Sequence, residues 1–199
     1  MIRRQIWPAI SVTIVLMLVT GLAYPLLVTG IAQLVFPRQA NGSLVAGDGR
    51  VVGSRLIGQQ FSQARYFHPR PSAAGAGYDP LASGGTNKGP TDRKLADTLV
   101  ASAVKAVVTE DGVARGGIPA DLVTSSGSGL DPDISPASAA VQVARVAHAR
   151  NADSASVAAI VTSHISARQL GILGEPRVNV LQLNLALDSA FRGTTTVHP

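Results

Sequence analysis

QIWPAISVTIVLMLVTGLAYPLLVTGIAQLVFP, residues 5–37, is a run of 33 residues without a charged side chain. A bilayer core about 30 Å thick needs only about 20 helical residues, whereas the apolar part of a cleaved signal peptide is about 7–15 residues long. The run therefore predicts one retained transmembrane helix, whose extra length is taken up by tilt or extends beyond the hydrocarbon on the outer side.

The charges around this run predict its orientation in the plasma (inner) membrane. Arg3 and Arg4 precede the run, so the positive-inside rule places the N-terminus in the cytoplasm and the rest of the chain outside it, although Arg38 just beyond the run counts against this. The sequence thus predicts a short cytoplasmic N-terminus with a single transmembrane helix, residues 1–37, and a soluble extracytoplasmic domain with a short polar tail, residues 38–199.

Two features of the helix bear on what surrounds it. Pro25 removes one helical hydrogen bond deep in the run and predicts a kink there. The helix is either a lipid-facing anchor or a helix packed on partner helices. The second reading draws on small side chains that permit close approach, namely Ser11, Thr13, Thr20, Gly21 and Ala23.

Composition excludes several classes of function. The 199-residue chain has no cysteine, which rules out disulfides, thiolate metal sites and cysteine nucleophiles. Beyond residue 37 the chain is only mildly basic and has no basic stripe with interleaved aromatic residues, so we expect no nucleic-acid partner. We also expect no metal site, because Asp131 and Asp133 lack further oxygen ligands and the histidines lack ligand spacing: His68, His148, His164 and His198.

The soluble part predicts an α+β fold, that is, a mixed α/β arrangement. Leu44-Val45-Ala46 and Arg50-Val51-Val52 flank Gly47-Asp48-Gly49, which is typical of a tight hairpin. An extended run is predicted at Asp121–Thr124, and a strand at Val178–Leu183, where apolar side chains alternate.

Caps and apolar spacing predict the helices. Ser135 followed by Pro136 marks a clear start, because serine caps a helix and proline suits its first position. Other helices are predicted from Thr91 and Asp92 to Gly112, from Ser154 through Ile165, and from Leu185 to Phe191. Pro69–Pro90, rich in proline and glycine, predicts a long surface loop, and such loops are often functional.

Neither glycine-rich loop carries a strong chemical motif. GGTNKGPT, residues 84–91, fails the phosphate-loop pattern because Lys88 precedes its glycine and Pro90 stands where the helix would begin. Ser125–Gly129 is a small polar loop that forms either an anion-binding nest of N–H groups or a simple turn. No Gly-x-Ser-x-Gly motif follows a strand, so we expect no enzymatic activity from this chain alone.

Several ordered blocks are spread over nearly the whole chain: Tyr24-Pro25-Leu26, Gln39–Leu44, Leu56–Gln59 with Phe61, Tyr66–His68, Arg70–Ala73, Ala82–Asn87, Asp121–Thr124, Ser126–Asp131, Arg177–Val180 and Leu183–Asp188. Together these blocks resemble the C subunit of the Kdp potassium-transporting P-type ATPase, the KdpC family. Two positions depart slightly from the family pattern: Lys88, because a hydrophobic residue often follows the asparagine there, and Asp133, where members vary.

The resemblance implies a role in an inner-membrane complex that uses ATP to import potassium. In that family a pore-like subunit selects the ion and a P-type pump subunit hydrolyses ATP through an aspartyl phosphate. This chain has neither an Asp-Lys-Thr-Gly motif nor a selectivity-filter repeat, so it corresponds to the accessory, non-catalytic subunit. The family role is that of a catalytic chaperone, which raises the affinity of the pump for ATP.

The resemblance also yields candidate site residues. An outward-facing domain is separated from cytoplasmic ATP, so it would act on ATP binding through coupling within the complex, and it could also cap the outer entrance of the pore. The candidate ATP-binding or partner-contact loop comprises Ser126, Gly127, Ser128, Gly129 and Asp131. Further partner-contact candidates are Gly84, Gly85, Asn87, Tyr66 and His68.

The alternative is a membrane-anchored extracytoplasmic hydrolase or ligand-binding protein that works alone. It requires a polar pocket in which titratable groups converge, for example His68, Asp131 and a serine.

Overall fold

The computed structural model describes residues 2–47 and 49–191. Asp48, at the tip of the predicted hairpin, and the predicted polar tail with His198 lie outside the described residues. The chain forms two compact units, Met1–Leu44 and Val45–Pro199.

The first unit is dominated by one apolar helix. It consists of α1 (Ile2–Leu18), a π-helical turn (Val19–Ala23) and α2 (Tyr24–Val35). The helix from Arg3 to Val35 has 33 residues and contains an 18-residue window with a mean hydropathy of 2.2, so it is long and apolar enough to cross a membrane. At 1.5 Å per residue it is about 50 Å long, well beyond the thickness of the hydrocarbon core.

The wide turn lies directly before Pro25, where the sequence predicts a kink. A proline ring has no N–H and collides with the carbonyl group four residues earlier, which is that of Gly21. Here the N–H of Tyr24 bonds to the carbonyl of Val19, five residues back, so the helix is widened over the turn that meets the proline. Thr20 Oγ1 also donates to the Leu16 carbonyl at 2.7 Å.

A short helix, α3 (Pro37–Ala40), ends this unit. The side-chain amides of Gln33 and Asn41 exchange two hydrogen bonds, at 3.3 and 3.1 Å, and Asn41 Nδ2 also donates to the Pro37 carbonyl at 2.7 Å. These bonds fix the turn between α2 and α3.

The second unit is an α+β domain with two small sheets. β1 (Leu44–Gly47) pairs with β2 (Arg50–Ser54), which confirms the predicted hairpin. β3 (Asp133–Ile134), β4 (Ile165–Ser166) and β5 (Arg177–Asn179) form an antiparallel sheet in the order β3-β5-β4.

Helices cover this three-stranded sheet and enclose the core. They are α4 (Ala101–Asp111), which continues a π-helical turn at Leu95–Val100, α5 (Pro136–Ala149), α6 (Ser154–Ser163) and α7 (Val180–Ala190). The side chains at the centre are fully buried: Phe67, Val146, Val157, Val178, Leu183 and Leu187.

The helix starts follow side-chain caps. Ser135 caps α5 as predicted, because its Oγ accepts from the Ser138 N–H at 3.0 Å. At two other helices, the sequence predicts Thr91 and Ser154 as the capping residues, and each of these predictions is wrong by one residue. Asp92, not Thr91, accepts from the Lys94 N–H at 2.8 Å. Asp153, not Ser154, caps α6, which ends at Ser163, so Ile165 belongs to β4.

The predicted strand Val178–Leu183 is wrong beyond Asn179. The side-chain oxygen of Asn179 accepts from the Gln182 N–H at 3.1 Å, and this cap starts α7 at Val180, five residues before the predicted start at Leu185. The apolar residues fit helical spacing equally well, because Val180, Leu183 and Leu187 share the buried face.

The run Asp121–Thr124 is also not extended. It overlaps a 3₁₀ turn, Ala120–Leu122. Asp121 holds this turn against the start of α5, since its carboxylate accepts from the Ser135 N–H at 2.7 Å and from Ser138 Oγ at 2.6 Å. These hydrogen bonds lower the pKa of Asp121 although burial opposes them.

Residues 55–92 contain no regular helix or strand, which confirms that Pro69–Pro90 is a loop, but this segment is not wholly at the surface because Phe67 and Ala74 are fully buried. Buried backbone groups require partners, and here helix side chains supply them. The amide of Asn184 bonds to both N–H and carbonyl of Phe67, at 2.8 and 3.1 Å, and that of Gln142 does the same for His68, at 2.7 and 3.1 Å.

We predict that Asn184→Leu lowers the free energy of unfolding by roughly 2–6 kcal/mol. Leucine has the same branched arrangement of heavy atoms as asparagine but leaves two buried backbone groups of Phe67 without partners, at about 1–3 kcal/mol each. Denaturant unfolding of the full chain in detergent measures the effect, with the exposed Ser189→Ala on the same helix as control. Equal stability of the two variants would contradict the assignment.

Candidate functional site

The two predicted candidate segments meet in space. The Gly84 N–H donates to the Ser128 carbonyl at 2.8 Å, and Ser83 Oγ donates to the same carbonyl at 3.0 Å. Ser72 Oγ donates to the Gly129 carbonyl at 2.6 Å. The Ser126–Asp131 loop and the Gly84–Gly85 segment thus form one structure, which we call the Ser/Gly junction.

Glycine is required at one position of the junction and not at another. Gly129 has a φ of +67°, and a Cβ there would lie 2.6 Å from the Ala74 nitrogen and 2.6 Å from the Gly84 oxygen. A Cβ at Gly127 would meet no atom within 4 Å. Gly129 therefore serves the packing of the junction, while Gly127 is open to an outside contact.

The junction uses some of the N–H groups that would bind an anion. The Gly129 N–H donates to Ser126 Oγ at 2.9 Å, and the Leu130 N–H donates to Ser128 Oγ at 3.1 Å. A nest offers its N–H groups to a ligand, whereas these two are already engaged within the loop. The geometry therefore favours a self-bonded turn over an anion-binding nest.

Arg70, which sequence reasoning did not single out, ties the junction to the rest of the domain. Its Nη1 pairs with Asp131 Oδ2 at 2.9 Å, and its Nε and Nη2 reach the carbonyls of Thr124 and Ser125 at 3.3 and 3.4 Å. The other carboxylate oxygen of Asp131 accepts from the Asp133 N–H at 3.0 Å. Asp131 thus braces the turn before β3.

A cavity of about 400 Å³ lies beside Arg70 and contains His68. His68 Nδ1 lies 3.2 Å from Glu110 Oε2, and its Nε2 lies 3.2 Å from the Gln63 carbonyl. Burial, and then the nearby charge of Arg145, lower the pKa of His68, although Glu110 acts in the opposite direction. The neutral form of His68 is therefore favoured in the folded protein.

A buried ion pair lies next to this cavity, because Asp111 lines it and pairs with Arg145. Arg145 Nε lies 2.7 Å from Asp111 Oδ1, and the two side chains are 7 and 4% exposed. Arg145 also donates to the carbonyls of Ala64 and Tyr66, at 2.7 and 2.9 Å, and to Gln142 Oε1 at 2.6 Å. Removal of one partner from such a pair typically costs about 3–5 kcal/mol.

Sequence reasoning also missed Gln142 and Arg145. The signal was present, because both lie on the otherwise apolar or small-residue face of the predicted helix that begins at Ser135. A polar side chain on a core-facing position requires a buried partner.

Among the described residues, neither Tyr66 nor Asn87 takes part in the hydrogen bonds that form the Ser/Gly junction. Tyr66 donates to Asp188 Oδ2 at 3.1 Å, and the guanidinium groups of Arg65 and Arg150 lie 5.5 and 5.3 Å from its ring centre. Burial, followed by the charge of Asp188, raises the pKa of Tyr66. Asn87 is exposed with a φ of +53°.

The convergence that a hydrolase needs is not seen among the hydrogen bonds and ion pairs of the described residues. The ring of His68 contacts Glu110 and Gln63, while Asp131 contacts Arg70 and Asp133. Within residues 2–47 and 49–191, no three His, Asp or Glu side chains group together as metal ligands.

Comparison with known proteins gives a match over most of the chain. The family model described as KdpC, K+-transporting ATPase, c chain, matches residues 6–189. The protein named Potassium-transporting ATPase KdpC subunit from Gemmatimonas aurantiaca is 67% identical to this chain, over 94% of this chain and 93% of its own length. The protein of the same name from Rhodospirillum rubrum is 55% identical, over 94% of this chain and 97% of its own length. That of Myxococcus xanthus is 56% identical over 92% of this chain and 87% of its own.

We predict that Gly129→Ala destabilises the domain by about 2 kcal/mol or more and that Gly127→Ala leaves its stability unchanged. The first places a side chain in left-handed backbone against two backbone atoms, and the second enters open space. Thermal unfolding of the two full-length variants in detergent is the measurement. A smaller loss for Gly129→Ala than for Gly127→Ala would overturn this account of the junction.

We also predict that acidification from pH 7 to pH 5 destabilises the domain partly through His68. Its pKa is lower in the folded than in the unfolded state, so the unfolded chain binds the extra proton more readily as the pH falls through about 6.5. His68→Gln should therefore lose less stability than the unsubstituted chain over this range. Unfolding curves at closely spaced pH values test this, and parallel losses in both proteins would refute it.

Proposed function

Since the chain belongs to the KdpC family of K+-transporting ATPase c chains, we propose that it is a non-catalytic accessory subunit that supports assembly of the complex and the ATP affinity of its pump subunit. The observation that carries the proposal is the family match over residues 6–189, which spans both the apolar helix and the Ser/Gly junction. Potassium is the ion that the complex transports.

The proposed partners are a pore-like potassium-binding subunit and a P-type subunit that hydrolyses ATP, together with the lipid bilayer. Support comes from the relatives, each of which is named as a subunit of a potassium-transporting ATPase. The helix from Arg3 to Val35 is the anchor in this proposal. We propose that it is a single-pass helix of the inner membrane with its N-terminus in the cytoplasm, because Arg3 and Arg4 lie at its N-terminal end and positive charge favours the cytoplasmic side.

In that orientation the soluble domain acts on ATP binding from the far side of the membrane. Such an effect is a coupling free energy, which requires that the domain contact two states of the pump differently. Rigid elements transmit a difference of this kind better than flexible loops do. The engaged N–H groups of Gly129 and Leu130 favour this route over direct ATP binding by the loop.

The contact surface proposed for this role is the open side of the Ser/Gly junction. A Cβ at Gly84 or at Gly127 would meet no atom within 4 Å, so both positions face free space. Their backbone is nevertheless fixed by the hydrogen bonds from Gly84 to Ser128 and from Ser72 to Gly129. A fixed and uncovered backbone suits close approach by another subunit, and we propose that it caps the outer entrance of the pore.

The first test is affinity purification of the tagged full chain in mild detergent, with identification of the co-purified proteins and a potassium-stimulated ATPase assay. Recovery of a large pore subunit and a P-type ATPase with that activity supports the accessory role. Recovery of the chain alone, in a detergent that preserves other membrane complexes, would favour the standalone alternative.

The second test addresses the contact surface. We predict that Gly127→Trp leaves the fold intact but impairs potassium uptake and raises the KM for ATP of the assembled complex by severalfold or more. The matched control is Ala144→Trp, at an exposed position of α5. Unchanged uptake and ATP affinity in a Gly127→Trp complex would contradict the contact while leaving the family assignment intact.

A further inference from the structure

The connection between β4 and β5 forms a hairpin arm at the β4 edge of the three-stranded sheet. All eleven of its residues, 165–175, are exposed. Its tip carries three large aliphatic side chains, Leu170, Ile172 and Leu173, which are 89, 75 and 53% exposed. Large exposed apolar groups that lie side by side mark interaction sites more often than scattered ones do.

The arm is held in one conformation by its own hydrogen bonds. Gln169 and Leu173 exchange two backbone hydrogen bonds, each of 2.9 Å, and Arg168 pairs with Glu175 at 2.6 Å across the hairpin. Leu170 and Gly171 both have positive φ, as tight hairpin turns require. The aliphatic tip is therefore presented outward on a fixed scaffold rather than folded back on the domain.

The chemistry of the tip restricts what it fits. Arg168 and Glu175 neutralise each other, and no charged residue lies between them. Segments that settle at a lipid surface usually combine aromatic and unpaired basic residues, and the tip has neither. An uncharged, aliphatic and preformed tip is complementary to an uncharged aliphatic recess in a protein.

The area of the tip restricts the partner further. Three aliphatic side chains offer roughly 200–300 Å² of apolar surface, whereas a stable interface buries about 800 Å² on each partner. The tip alone is therefore too small to hold two copies of this chain together. A contact of this size becomes effective when another attachment already keeps both partners close, as anchoring in one membrane does.

We infer that the hairpin arm, residues 165–175, inserts its aliphatic tip into an uncharged apolar recess on another membrane-embedded subunit of the same ATPase. This inference rests on the proposed function, since it requires that such a subunit be present. The arm is a second contact, separate in sequence from the Ser/Gly junction. With both contacts made, the domain could no longer rotate about the junction.

The absence of native cysteine provides a direct test. Leu170→Cys and Ile172→Cys each place a thiol at the tip, and Ala155→Cys places a control thiol at an exposed position in the first turn of α6. Labelling rates with a membrane-impermeant maleimide are measured in membranes that contain the full chain alone and in membranes that contain the whole complex.

The inference predicts that both tip thiols react at least tenfold more slowly in the complex than in the chain alone, while the control thiol reacts equally in both. Fast labelling of the tip within a recovered complex would overturn the inference but not the proposed function. Slow labelling even in the chain alone would overturn it in favour of a lipid contact. Failure of any subunit to co-purify would overturn the proposed function and this inference together.

Discussion

The buried amide of Asn184 donates to and accepts from the main chain of Phe67, and the rest of the domain depends on this exchange and on its counterpart between Gln142 and His68. Residues 55–92 have no ladder of their own, so their buried backbone groups would otherwise lack partners. Side chains of two helices take the place of a neighbouring strand. The path of a long irregular segment is thereby determined by α5 and α7.

Everything that forms the candidate site follows from that path. Once Phe67 and His68 are fixed, Arg70 lies within reach of Asp131, and Ser72 reaches the Gly129 carbonyl. The Ser/Gly junction is therefore hydrogen-bonded to residues that the helical core positions, although it consists of loops. In the proposed role, such a fixed surface would let the domain contact two states of a partner differently.

The fold class, the apolar helix, the first hairpin and the Ser135 cap could be predicted because each depends on neighbours in sequence. Val178–Leu183 could not be assigned from its pattern, because the spacing of its apolar residues fits both a strand and a helix. The cap formed by Asn179 decides that the helix begins at Val180. The candidate site was predicted in separate pieces. Sequence indicated both glycine segments but not that they touch, and it did not indicate that Tyr66, another partner-contact candidate, bonds to Asp188. Only tertiary contacts carry that information.

The bonds from Phe67 to Asn184 and from His68 to Gln142 also span 117 and 74 positions of the chain. Contacts between such distant positions form late and slow the search for the native state. A chain that is synthesised from its N-terminus exposes the irregular segment before α7 exists. The partners of Phe67 therefore become available only at the end of synthesis, and until then the aromatic side chains of this segment are open to aggregation.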